Sequence, residues 1–99
     1  MAGKRLPETY ALFQNSPNPF NPETEIRYVV PEPSTVRIDV YNSLGQRVRT
    51  LIRAQHAPGT YSVKWNGEDD DGRQVTAGIY LYEMKAGSFS GKGKMILVP

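Results

Sequence analysis

The apolar residues of this chain recur at every second position, in segments too short and too closely spaced to be helices. In Thr24-Glu25-Ile26-Arg27-Tyr28-Val29-Val30, the residues Ile26, Tyr28 and Val30 share one face, and Glu25 and Arg27 take the other. Thr35 to Tyr41 repeats the arrangement, with Val36, Ile38 and Val40 inward and Arg37 and Asp39 outward. Thr60 to Trp65 sets Tyr61, Val63 and Trp65 against Ser62 and Lys64. Successive side chains of an extended strand point to opposite faces, so each segment presents one face to a core and one to water. Antiparallel sheets packed on one side have this signature. No segment carries a sustained stripe of period 3.6. The fold class is all-β.

Three further strands are weaker or different. Arg47 to Arg53 has Val48, Leu51 and Ile52 out of step, which points to a bulge or an edge position. Ile79 to Lys85 is apolar on both faces near its start, as a central strand would be, with Tyr80, Tyr82 and Met84 toward the core. Phe89 to Val98 has Met95 and Leu97 as its core pair, and Ala11 to Asn15 offers a seventh strand.

Turn residues fall between these segments. Asn42-Ser43-Leu44-Gly45 places glycine where φ > 0 is needed. Pro58-Gly59 suits the two central positions of a type II turn. Asn66-Gly67 and Asp71-Gly72 are turn dipeptides, and Ala86-Gly87-Ser88 joins the last two strands as a tight hairpin. Short strands at regular spacing with such punctuation describe an antiparallel β-sandwich or barrel. Ser16-Pro17-Asn18-Pro19-Phe20-Asn21-Pro22 is a stiff, extended or turned segment, because proline restricts both itself and the residue before it. Its Phe20 is expected to be buried, locking the first strand to the sandwich. Residues 1–9 read as a linker or a cloning-derived start, and 10–99 as one folded domain.

Composition narrows the function. The 99 residues suffice for one domain with a modest core, and the hydrophobic (38%) and charged (22%) fractions are those of an ordinary globular chain. No apolar run reaches the ~20 residues that span a bilayer, so membrane insertion is not expected. The start lacks the charged–apolar–small pattern of a signal peptide. A net charge of +2 with scattered basic residues gives no nucleic-acid footprint. Without cysteine there is no disulfide and no thiolate metal site, so stability rests on the core.

Several blocks resemble one family. Ser16 to Pro22 followed by Thr24-Glu25-Ile26-Arg27-Tyr28 resembles the opening of C-terminal sorting domains (type A) of the type 9 secretion system. Val36 to Val48, with its Leu44-Gly45 turn, resembles their second and third strands. Gly59 to Gly67, Ala77 to Tyr82 and Lys92 to Val98 resemble the remainder, so the likeness runs from Leu6 to Pro99. The middle blocks also resemble the immunoglobulin-like domain of flagellar hook-capping proteins. Both resemblances imply an immunoglobulin-like antiparallel β-sandwich of about seven strands. The sorting family further implies a signal at the C-terminus of a secreted protein, recognised by an outer-membrane translocon. A sortase-like peptidase then removes it and attaches the N-terminal passenger to surface lipopolysaccharide. The localisation implied is secreted or cell surface, via periplasm and outer membrane. Sorting domains often finish on a basic residue, whereas here the last residues are Leu97-Val98-Pro99.

The resemblance puts the signal in the last strands. Gly87, Lys92, Lys94, Met95, Ile96, Leu97 and Val98 are therefore the partner-binding candidates, the lysines supplying charge and the apolar residues a strand able to pair at a sheet edge. The same strand could equally complete the sandwich. Other chemistry finds little support. Glu68-Asp69-Asp70-Asp71-Gly72 suggests calcium, but aligning Gly72 as the sixth EF-hand position leaves Gly67 first and Gly78 twelfth, so two ligands are missing. An acidic hairpin loop accounts for it, and no metal or cofactor is expected. The single histidine, His56, is expected in a surface loop, without the partners a catalytic or metal site needs. No nucleophile elbow or phosphate loop is present, and the chain is not expected to be an enzyme. Leu6-Pro7-Glu8-Thr9-Tyr10 approaches a Gram-positive sorting signal, with tyrosine in place of its glycine, and is coincidental. Exposed Tyr10, Tyr41 and Tyr82 would be the rings for a carbohydrate-binding alternative, while Trp65 is expected in the core.

Overall fold

In a computed structural model, which describes residues 8–99, seven strands form two antiparallel sheets. They are β1 (Ala11–Leu12), β2 (Thr24–Val30), β3 (Ser34–Asn42), β4 (Arg47–His56), β5 (Gly59–Trp65), β6 (Gly78–Ala86) and β7 (Phe89–Leu97). One sheet has the order β1-β2-β5 and the other β4-β3-β6-β7. The architecture is the expected immunoglobulin-like sandwich. The linker expected over residues 1–9 lies largely outside the described residues, which exclude 1–7.

The inward positions deduced from alternation form the core. Ile26, Val30, Val36, Ile38, Val40, Met84 and Met95 are wholly shielded from solvent, each contributing roughly 1.5–3 kcal/mol of apolar burial. Around Trp65 gather Phe20, Val40, Tyr80, Tyr82, Met95 and Leu97; around Tyr28 gather Val36, Ile38, Met84 and Ala86. Leu12, Leu51 and Val63 pack against both groups, joining them into one interior. Phe20 is 1% exposed, with its ring centroid 5.7 Å from that of Trp65.

β4 is both an edge strand and a bulged one. Ile38 pairs with Ile52 and Asp39 with Thr50, so Leu51 is an extra residue; Val40 pairs with Arg49 and Tyr41 with Arg47, so Val48 is a second. Each extra residue resets the alternation, and this is why Val48 and Leu51 can both pack against the core.

Three expectations are corrected. The strand over Ala11 to Asn15 is confined to Ala11–Leu12, because the Asn15 amide leaves the ladder for the Tyr82 hydroxyl at 3.0 Å. Gly59 is not at positive φ as a type II turn requires; it opens β5 opposite Val30, whereas Gly45 and Gly87 do take positive φ. His56 is not on a loop surface: it ends β4 and is 9% exposed. Its Nδ1 lies 3.1 Å from the Ala54 carbonyl, which can only accept, so in the neutral ring Nδ1 carries the proton and Nε2 accepts from the Tyr28 hydroxyl at 2.7 Å.

Two outcomes follow from this packing. Phe20→Ala is expected to lower unfolding free energy in denaturant titrations by ~3–5 kcal/mol, and a loss below about 1 kcal/mol would place the ring outside the core. Burial first, then the neighbouring Tyr61, push the Tyr28 hydroxyl up to about 12. Above pH ~10 the unfolded chain sheds this proton while the folded chain keeps it, so stability falls as pH rises from about 10 to 12. Thermal melts across that window should show the fall, and Tyr28→Phe should make it shallower.

Candidate partner-binding edge

β7 is an edge strand, and its outer edge is treated differently along its length. Toward its C-terminal end, the proline segment hydrogen-bonds to it. The Phe20 amide donates to the Ile96 carbonyl and the Val98 amide to the Phe20 carbonyl, both at 2.9 Å. The Ile96 amide donates to Asn18 Oδ1 at 2.9 Å, and the Gln14 side-chain amide donates to the Lys94 carbonyl at 2.7 Å. Phe20 and Leu97 form a parallel bridge. Backbone groups of alternate residues point to the same edge, so those of Ser90 and Lys92 also face outward, where no strand of the described residues pairs with β7.

A second network fixes the base of the proline segment. Asn15 is buried, and its Nδ2 donates to the Pro17 carbonyl and to Thr24 Oγ1; Thr24 Oγ1 in turn donates to Pro17. The Tyr82 hydroxyl donates to the Phe13 carbonyl at 2.7 Å and accepts from the Asn15 amide. To reach them, the Tyr82 ring crosses β7 over Gly93, where any Cβ would collide with it. Glycine at this core-facing position thus lets a side chain of one sheet grip the residues that follow the first strand of the other.

The partner-binding candidates separate accordingly. Lys92 and Lys94 are exposed on the outer face of the four-stranded sheet, with half-buried Ile96 between Lys94 and the exposed Val98. Gly87 is exposed in the β6–β7 turn. Met95 and Leu97 are instead core residues, 0% and 4% exposed, so their side chains are withdrawn from any partner. Nor does the strand offer a free edge from Lys94 onward, because the chain's own residues 14–20 occupy it. Gln14, Asn15, Asn18 and Gly93 were not singled out by the sequence. The signal was there for Gly93, since alternation from Met95 and Leu97 places it on the inner face, where a strand glycine marks close approach.

Other candidates have structural employment. Asp69 Oδ1 accepts the Asp71 and Arg73 amides, and the Asp70 carboxylate takes the Thr50 amide and pairs with Arg47, which hold it below the usual carboxylate range. Of the tyrosines considered for sugar, Tyr82 is buried, contrary to its place among exposed rings. Tyr10 stacks on Phe89 and binds Ser34 Oγ, leaving Tyr41 half-buried on the four-stranded sheet.

The two sheets define an immunoglobulin-like domain. The family model for the FlgD Ig-like domain matches residues 20–90, and the chain belongs to that family. Among solved structures, dimeric latent PorU from Porphyromonas gingivalis shares the fold over 98% of this chain, with TM-score 0.73 and 18% identity. FlgD from P. aeruginosa does so over 95%, with TM-score 0.60 and 19% identity. A Pseudomonas fluorescens alkylpurine DNA glycosylase, AlkC, bound to DNA containing an abasic site analog, does so over 91%, with TM-score 0.58 and 13% identity. This chain spans 10%, 74% and 30% of those three chains respectively. No curated protein sequence matches it.

Gly93→Ala should lower stability by ~1–3 kcal/mol through overpacking against Tyr82. Combined with Tyr82→Leu, measured by denaturant titration, the two costs should fall well short of adding; simple additivity would refute the contact.

Proposed function

We propose that this chain is a sorting and attachment domain, the signal by which a larger secreted protein passes the type 9 outer-membrane translocon and reaches the cell surface. The observation that carries this reading is the bonding of the proline segment to the last strand. The FlgD-type match ends at residues 20 and 90. The stretches beyond it, Ser16–Pro19 and Gly91–Val98, hold much of the likeness to sorting domains. They lie some 78 residues apart in the chain and are hydrogen-bonded to each other. A resemblance in two separate stretches that form one structural unit is more telling than either alone.

In this reading the domain is non-catalytic. The passenger precedes it, the translocon recognises it, and a sortase-like peptidase processes it. Gly87, Lys92, Lys94, Ile96 and Val98 are the residues of the last hairpin left to meet the translocon, with Met95 and Leu97 holding the strand from beneath. Membership of the FlgD family favours a second reading, a structural immunoglobulin-like module of a flagellar hook cap. The genomic position of the full-length gene separates the two.

Fusion of Leu6 to Pro99 to an exported reporter, in a host carrying the secretion machinery, should place the reporter at the cell surface, accessible to added protease. A reporter retained in the periplasm contradicts the proposal.

A further inference from the structure

The outer face of the four-stranded sheet is more apolar and more basic than the rest of the molecule. Of the five exposed large hydrophobic residues among those described, Phe13 has the Arg27 guanidinium over its ring, 5.7 Å from the centroid. The other four, Leu44, Ile79, Leu81 and Val98, lie on this face or at its margin. Directly paired residues of an antiparallel sheet share a face. Tyr41 is opposite Leu81, Leu81 opposite Lys94, and Ile79 opposite Ile96, so the apolar positions are contiguous across three strands. At their centre is a hollow of about 270 Å³ lined by Tyr41, Leu81, Glu83 and Lys92, with Gly45 of the β3–β4 turn at its side.

The charges around it are unbalanced. By register the face carries Arg37, Arg47, Arg53, Lys85, Lys92 and Lys94, with Asp39 and Glu83 among them. With Asp70, which pairs with Arg47 and takes the Thr50 amide at the rim, six bases less three acids leave +3, while the whole chain is +2, so every other residue together sums to −1. All three acids are already engaged: Asp39 by Arg37 at 2.7 Å, Asp70 by Arg47, and Glu83 by Lys92 at 3.9 Å. Arg53, Lys85 and Lys94 have no ion-pair partner among the described residues.

We propose that this face is a docking surface for an acidic protein segment, which inserts one aliphatic or aromatic side chain into the Tyr41–Leu81 hollow and sets carboxylates against Lys92 and Lys94. A buried apolar anchor with charged residues at the rim is the usual anatomy of such contacts. A second copy of the chain fits poorly, because face-to-face pairing opposes lysines with no spare carboxylate between them. A bilayer fits poorly as well, since a lipid surface has no side chain to fill a hollow. The inference does not depend on the sorting role: a surface with this chemistry would dock an acidic segment in either reading of the domain.

The test is selection of a random peptide display library on the immobilised full chain, followed by titration of the synthetic winners. Enriched peptides should combine acidic residues with a central aliphatic or aromatic residue. Leu81→Glu, and separately Lys92→Glu with Lys94→Glu, should weaken them about tenfold or more, while thermal melts show the variants folded. The proposal is overturned by no enrichment, by uncharged or basic winners, or by acidic winners that bind the variants equally well. It is overturned too if the same variants instead abolish capture by phosphatidylglycerol vesicles, or self-association in sedimentation equilibrium.

Discussion

The seating of Phe20 is the contact on which the remainder of this structure depends. Its ring closes the interior against Trp65, while its own amide and carbonyl continue the hydrogen bonding of β7. One residue thereby serves the core and the sheet edge together. The segment that delivers it is short of conformational freedom before folding, since three prolines restrict residues 16 to 22. Ordering it therefore costs less entropy than ordering a flexible loop of equal length.

Closure of the edge has a second half in Tyr82. Its ring leaves the four-stranded sheet, passes over Gly93 and ends on backbone groups of Phe13 and Asn15. The N-terminal strand is only two residues long and could not hold by its ladder alone. Tyr82 and the Asn15–Pro17–Thr24 network supply what the short strand lacks. An otherwise vulnerable sheet edge is thus covered where residues 14–20 lie against it, and among the described residues it is left unpaired near Ser90 and Lys92. The function proposed for the domain uses this division: a fixed C-terminal strand beneath, and a charged, partly apolar sheet face above.

Much of the fold was legible in the residues because burial acts on alternate positions. Ile26, Val36, Ile38, Trp65, Met84 and Met95 were all assigned inward from period alone, and all are buried. The bulged character of β4 was legible too, as broken alternation, though not its two separate insertions. What escaped was long-range and polar. Nothing local told that Asn18 would cap Ile96, or that His56 would find Tyr28 and Tyr61, because such pairings depend on which loops the topology brings together. The same limit explains the site. Met95 and Leu97 were assigned at once to the core and to a partner-binding strand, and only the sheet register decides between these roles. Membership of the FlgD Ig-like family agrees with the strand pattern, while the proposal of an attachment role rests on the stretches beyond that match.

Amide hydrogen exchange on the folded domain tests the central claim most directly. If the proline segment is an integral part of the sandwich, the Phe20, Ile96 and Val98 amides should exchange as slowly as those of the central strand β3, and the Ser90 and Lys92 amides quickly. Phe20 and Val98 exchanging as fast as Lys92 would mean that the segment is only loosely laid against β7, contradicting the account.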